Sequence, residues 1–162
     1  MREKGYNFDS SSEKEIVRSI KETACYVSTD YDEDIKKIEC FRFPLPDKTW
    51  ITVKKERIKC PEILFRPDLL DNKSENGGIH KMLFDSINKC DVSLHNELFQ
   101  RIVISGGSSM FKGFKERLED EIAKDRYERF NIMRPLKDCR YCAWNGGSIW
   151  ASMDSFNDSL IF

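Results

Sequence analysis

Histidine is scarce in this 162-residue chain, neither charge sign is in surplus, and no long apolar run occurs. Each shortage removes a class of function. Lys plus Arg number 27 against 28 Asp plus Glu, so no basic excess points to a nucleic-acid partner and no acidic tail to a disordered one. No stretch approaches the roughly 18–20 apolar residues that a membrane span needs. Met1-Arg-Glu-Lys-Gly5 also lacks the apolar centre of a secretory leader. The expectation is a soluble, intracellular protein with no membrane and no nucleic acid among its partners. Repeats, linkers and low-complexity tracts are absent as well. Charged residues are present in quantity: at 34% they exceed the roughly 25% of ordinary globular chains, which predicts a well-solvated surface.

With two histidines, His80 and His95, metal chemistry would have to rest on the six cysteines, Cys25, Cys40, Cys60, Cys90, Cys139 and Cys142. Cys139-Arg-Tyr-Cys142 has the C-x-x-C spacing, but no second such pair or His pair completes a tetrahedral zinc site. The favoured reading is scattered, mostly buried thiols, reduced in the cytosol, and no metal site is expected.

Ser12-Glu-Lys-Glu15 has the form of a capping box, followed by Ile16, Val17, Ile20, Ala24 and Val27, and predicts a helix over 13–27. Residues 28–45 are polar and read as helix or loop, with a proline turn at 44–48. Trp50 to Val53 alternate as a strand that pairs with the residues around Phe41 and Phe43. Pro61 suits the first position of a short helix running to Phe65 and stopped before Pro67. An exposed polar loop is expected over 71–77. Helices follow at 78–89, burying Ile79, Met82, Leu83 and Ile87, and at 93–100, capped by Asp91 or Ser93 and burying Leu94, Leu98 and Phe99.

A βαβ unit is predicted next. Its first strand is Ile102 to Ser105, and its helix, 113–125, buries Phe114, Leu118 and Ile122 with an Arg117–Glu121 pair outside. A parallel strand returns at Phe130 to Met133, ended by Pro135. Tyr141 to Trp144 reads as a further strand. Asn145-Gly-Gly-Ser148 then reads as a second strand-to-helix junction, opening a last helix over 147–153. Two parallel strands, a lone strand and a separate hairpin make an incomplete sheet, because parallel sheets have both faces covered. The layout is that of the later part of a larger α/β domain.

Ser105-Gly-Gly107, between an apolar strand and an amphipathic helix, is where such a domain can hold a nucleotide or another anion, although paired glycines after a strand are more often a tight turn. Arg18, Lys21 and Glu22 share one helical face, which on spacing alone is a solvated surface.

Many short motifs then fall in one order. Glu3-Lys-Gly-Tyr-Asn-Phe8, Glu15-Ile-Val-Arg-Ser-Ile-Lys-Glu22 and Cys25-Tyr-Val27 open the series. Leu45-Pro-Asp47, Glu56-Arg57, Cys60-Pro-Glu62 and Phe65-Arg-Pro67 follow. Gly78-Ile-His80, Ser86-Ile87, Lys89-Cys-Asp91 and Ser105-Gly-Gly107 come next, with Met110 and Gly113. Trp144-Asn-Gly-Gly-Ser-Ile149, Ala151-Ser152 and Phe156 close it. By these the chain resembles the C-terminal half of actin and the actin-related proteins, almost end to end.

The resemblance implies a partial actin-like, RNase H-like ATPase fold of the α/β class with an incomplete central sheet. Residues of about 9–67 would form a small outer subdomain of helices and a hairpin. Those of about 68–135 would form an inner subdomain, and 136–162 would return toward an absent N-terminal half. In that family ATP or ADP with Mg²⁺ lies in a cleft between two halves. By position, the resemblance places Arg18, Lys21 and Glu22 toward the adenosine, with Glu22 as the ribose acceptor. It places Gly106, Gly107, Ser108, Met110 and Phe111 along base and ribose, and Arg140 near the adenine where a lysine is usual. The family's phosphate hairpins, Mg²⁺ carboxylates and water-orienting Gln and His all precede the segment that Met1 begins. Neither His80 nor His95 matches that histidine. The expectation is therefore a truncated cytoplasmic, cytoskeletal protein with weak or no ATP binding and no hydrolysis of its own.

The family's hydrophobic plug is replaced by a longer polar loop at 69–76, and the outer subdomain is shorter over 28–45. Asn145 and Trp150 stand where the partner-binding groove has smaller aliphatic residues, while Ile149 and Met153 keep it apolar. Ordinary filaments are not expected. The alternatives are a non-enzymatic module that binds actin, an actin-related complex or actin-binding proteins, and a non-functional truncated copy prone to aggregate through uncovered sheet edges.

Overall fold

The computed structural model describes residues 8–70, 77–124, 129–134 and 138–159. The expectations for Glu3 to Asn7, the polar loop at 71–76, residue 125 and the stop at Pro135 lie outside the described residues.

Helix α1 runs Ser11–Ala24. Its cap is Ser10 and not Ser12: the Ser10 hydroxyl accepts from Glu13 N–H at 3.2 Å, and Glu13 Oε2 accepts from Ser10 N–H at 2.9 Å. The helix ends at Ala24, three residues before the predicted limit, with Cys25 as its C-cap. α2, Tyr31–Lys37, resolves part of the ambiguous polar stretch as helix, capped by Asp30. β1 (Phe41–Pro44) and β2 (Trp50–Val53) form the expected antiparallel hairpin, with Phe41 opposite Val53 and Phe43 opposite Ile51. Asp47 closes its turn by accepting from the backbone and hydroxyl of Thr49.

α3, Glu56–Glu62, corrects the placement of Pro61, which sits in the last turn instead of the first. Lacking an N–H, Pro61 leaves the Arg57 carbonyl without its intrahelical donor. Tyr26 N–H takes that place at 3.2 Å. The proline thus creates the acceptor that ties the chain after α1 to α3.

α4 (Gly78–Asn88) and α5 (Val92–Gln100, capped by Asp91) follow. Their inward stripes are narrower than the sequence suggests. Phe84, Ile87 and Phe99 are buried, but Ile79, Met82, Leu94 and Leu98 face outward. Period alone fixes which residues share a face, and the Phe84–Phe99 ring contact decides which face turns in.

β3 (Ile102–Val103) and β4 (Ile132–Met133) pair in parallel around α6 (Phe114–Lys124), as expected of the βαβ unit. Arg117 and Glu121 do pair, at 2.7 Å, but not outside: Arg117 is only 6% exposed and reaches the fully buried Glu62 of α3. An i, i+4 spacing reports that two side chains meet, not whether they meet in water.

α7, Cys142–Ala151, overturns both readings at the C-terminal end. Tyr141 to Trp144 is no strand, and Gly146 and Gly147 lie inside the helix. Alternation over four residues fits one helical turn as well as a strand, and glycine within a helix costs about 1 kcal/mol without forbidding it.

Among the described residues, apolar side chains gather in two clusters. One holds Ile20, Ala24, Ile51 and Val53, the other Val27, Phe65, Phe84, Phe99, Ile102, Phe114, Leu118 and Ile132. The segment 25–28 joins them. Val27 N–H donates to Lys112 O at 2.8 Å, and the Arg117 guanidinium donates to Ser28 O at 2.6 Å. Gly113, at φ +82°, permits this approach, since a Cβ there would lie 2.2 Å from Val27 O. The last turn of α1 is thereby brought against the loop after β3.

Candidate functional site

That loop is built from backbone bonds. Gly106 adopts φ +91°, a left-handed conformation that glycine takes without steric cost. Its carbonyl accepts from Ser109 Oγ at 2.8 Å, and its N–H donates to Cys139 O at 2.9 Å. Gly107–Met110 then form a tight 3-10 turn. The Met110 sulfur accepts from Cys139 N–H at 3.4 Å, so the loop and the chain before α7 are fastened together.

Arg140 is fixed next to it. Its guanidinium spans the Asp138 carboxylate, Nε to Oδ1 at 3.0 Å and Nη2 to Oδ2 at 2.7 Å. The hydrogen bond to Arg140 lowers the Asp138 carboxyl from its ordinary value, and the same bond holds the guanidinium more firmly cationic. The Arg140 stem comes close enough to Gly107 that a Cβ there would meet its Cγ at 4.0 Å.

Across from the loop, α1 contributes Arg18, Lys21 and Glu22. Arg18 Nε donates to Glu22 Oε1 at 3.0 Å, and this bond raises the Arg18 guanidinium. Among the described residues, Glu22 Oε2 accepts no hydrogen bond.

These walls enclose a cavity of about 460 Å³ lined by Arg18, Lys21, Glu22, Thr23, Gly107, Ser108, Met110, Phe111 and Arg140. Its size is that of a small-molecule site. Eight of the nine residues that the resemblance nominated therefore share one cavity. The ninth, Gly106, does not line it and acts as the hinge that shapes the loop. Thr23 is the lining residue not anticipated, and helical spacing offers no signal for it because it projects about 100° from Glu22. A second cavity of about 900 Å³ shares Glu22, Thr23, Met110 and Phe111 and extends to Tyr26, Arg57 and Lys112.

The lining offers three cationic side chains, a thioether, a ring, the Ser108 hydroxyl and one carboxylate, and that carboxylate is bonded to Arg18. Neither histidine lines it: His80 stacks on Phe65 at 6.3 Å, and His95 bonds the Cys90 carbonyl at 3.1 Å.

The thiols differ from expectation. Cys139 is buried, but Cys40, Cys60 and Cys90 are exposed and Cys25 and Cys142 half-buried. Among the described residues, no group of three or more His, Cys, Asp or Glu is arranged to hold a metal ion, and no helix is long and apolar enough to cross a membrane.

Comparison with protein-family models gives a match to the one described as Actin, over residues 1–162.

Proposed function

The chain belongs to the actin family, and from that premise we propose that it is a cytoplasmic, cytoskeletal actin-like protein whose residues supply the adenosine side of a nucleotide cleft. The observation that carries the reading is the cavity in which α1 faces the loop after β3 with Arg140 fixed beside that loop. In it the Glu22 carboxylate would accept from ribose hydroxyls, and the stems of Lys21 and Arg140 with Met110 and Phe111 would pack on the base. ATP or ADP with Mg²⁺ is the ligand of the intact family. Of the three cations in this lining, Arg18 is held by Glu22 and Arg140 by Asp138, and Mg²⁺ would need more oxygen ligands than the one carboxylate here.

Phosphoryl transfer depends on positioned phosphates, metal and water. The nine lining residues include one carboxylate, Glu22, which this reading commits to the ribose, so none is assigned to activating water. On this reading the described residues bind a nucleoside and do not hydrolyse ATP.

Calorimetric titration with adenosine and with MgATP tests both halves. Similar millimolar affinities, with no phosphate released, are expected. A folded chain that binds neither, or one that binds MgATP far more tightly than adenosine, overturns the reading.

A second reading has an observation of its own. α7 leaves Trp144 79% exposed, with Ile149 and Trp150 also outward and Met153 exposed just beyond its end. So apolar a helix surface supports a non-enzymatic module that docks on actin, an actin-related protein or another actin-binding partner. Sedimentation with and without intact actin separates the two, because docking would persist in the absence of nucleotide.

A further inference from the structure

Cys25 leaves α1 with its N–H bonded to Lys21 O at 3.2 Å and its Sγ 4.0 Å from the Glu56 carbonyl. Two further bonds fix this segment on the first turn of α3: Tyr26 N–H to Arg57 O at 3.2 Å, and Arg57 Nε–H to Ala24 O at 2.9 Å. In an α-helix the carbonyl of residue i points toward residue i+4. A sulfur seated on Glu56 O therefore lies beside Cys60, close enough for each thiol to shift the other. Cys60 faces solvent while Cys25 is half-buried.

We propose that Cys25 and Cys60 form a reactive thiol pair that a peroxide oxidises to a disulfide, joining the end of α1 to α3. The proposal does not depend on nucleotide binding.

The electrostatics assign the two sulfurs different roles. The hydrogen bond from the Cys25 thiol, helped by the Lys21 ammonium, lowers Cys60 to about 7, so thiolate is present at neutral pH. Donation to Cys60 and then burial raise Cys25, with Arg57 and Lys21 opposing, so it keeps its proton. Thiolate character combined with exposure is what makes a cysteine reactive toward oxidants. Cys60 Sγ attacks the peroxide, the O–O bond breaks, and Cys60 becomes a sulfenic acid as hydroxide leaves and is protonated to water. Cys25 Sγ then attacks Cys60 Sγ and gives its proton to the departing oxygen. The S–O bond breaks, the S–S bond forms and a second water leaves. Two electrons pass from the two sulfurs to one peroxide.

The competing pair is Cys139 and Cys142. Cys139 is wholly buried, and burial followed by the bond with Cys139 raises the half-buried Cys142, so neither offers an exposed thiol of lowered pKa.

The test is stoichiometric hydrogen peroxide on the purified chain at neutral pH, followed by alkylation and non-reducing peptide mapping. A Cys25–Cys60 linked peptide should dominate. Closing a loop of ~35 residues should raise Tm by roughly 5–15 °C, reversed by dithiothreitol. In Cys25→Ser the link disappears and Cys60 is trapped as sulfenic or sulfinic acid, whereas in Cys60→Ser residue 25 stays a thiol. A Cys40→Ser, Cys90→Ser double variant, altered only at exposed positions, should give the same linked peptide as the unaltered chain. Prior formation of a Cys139–Cys142 bond, prior oxidation of Cys40 or Cys90, or a sulfinic Cys60 beside a free Cys25 in the unaltered chain would each overturn the proposal.

Discussion

Arg117 and Glu62, 55 positions apart, meet as a forked ion pair, Nη2 to Oε1 at 3.1 Å and Nη1 to Oε2 at 3.2 Å, with the guanidinium 5.1 Å above the Phe65 ring. Removing one partner of such a pair strands the other charge in the core. Arg117→Leu should cost about 3–5 kcal/mol near neutral pH. Burial raises Glu62 above its ordinary 4.5 even with Arg117 opposing, and without Arg117 it rises further. A carboxyl raised in the folded state favours folding at low pH and loses that contribution as pH rises through its folded value. Burial also acts to raise Glu121, but bonds from Arg117 and Lys124 outweigh it, so its contribution is present above about 4.5 and fades in acid. Both effects make the penalty of Arg117→Leu smaller in acid. Urea melts from pH 4 to pH 7 should show it growing with pH, and a flat difference would exclude the charge-based account.

At the start of α1 two serines compete for one role. Ser10-Ser-Ser-Glu13 and Ser12-Glu-Lys-Glu15 both have the capping-box spacing. The earlier start wins and adds the bond from Lys14 N–H to Ser10 O at 3.0 Å. Ser10→Ala should destabilise the chain by about 1 kcal/mol and Ser12→Ala by only a few tenths, read from thermal melts. The reverse ranking would return the cap to Ser12.

Glycines here are of two kinds. Gly113 holds a left-handed φ with Val27 O where its Cβ would be, so Gly113→Ala should cost at least about 2 kcal/mol. Gly147 sits inside α7 with nothing within 4 Å, so Gly147→Ala should stabilise that helix by about 1 kcal/mol. Calorimetric melts of the two variants should move in opposite directions. A Gly147→Ala chain less stable than its parent would count against a helix there.

Local period was enough to read the hairpin and the βαβ unit, because alternation and i, i+3, i+4 spacing are set within a few residues. The expected last helix over 147–153 overlaps the second half of α7, and its first half escapes where those cues are weakest: four alternating residues followed by Gly-Gly. The burial of Arg117 could not be read at all, since its partner Glu62 arrives from another helix. Cavity residues were legible for a different reason. Charged side chains on one face of α1 carry no signal of their own, and the order of family motifs named them. Thr23 belongs to no such motif, so only the fold brings it in.

The Arg140 wall of the cavity depends on Asp138. The carboxylate accepts Arg140 Nε–H and Nη2–H and also its backbone N–H at 3.1 Å, which fixes the stem beside Gly107. Both side chains are well exposed, so the pair itself adds little to folding. Its consequence lies in preorganisation: a base stacking on the stem need not first immobilise it. Asp138→Ala should therefore leave Tm within ~2 °C of the parent. The same change should weaken binding of a fluorescent etheno-adenosine by roughly 3- to 10-fold, the scale of ordering one long side chain. Restoring the carboxylate one methylene longer, in Asp138→Glu, should recover part of the loss in anisotropy titrations. Unchanged affinity in Asp138→Ala would mean that Arg140 forms no wall for the base, and the nucleoside would then rest on α1 and the Gly107–Phe111 loop alone.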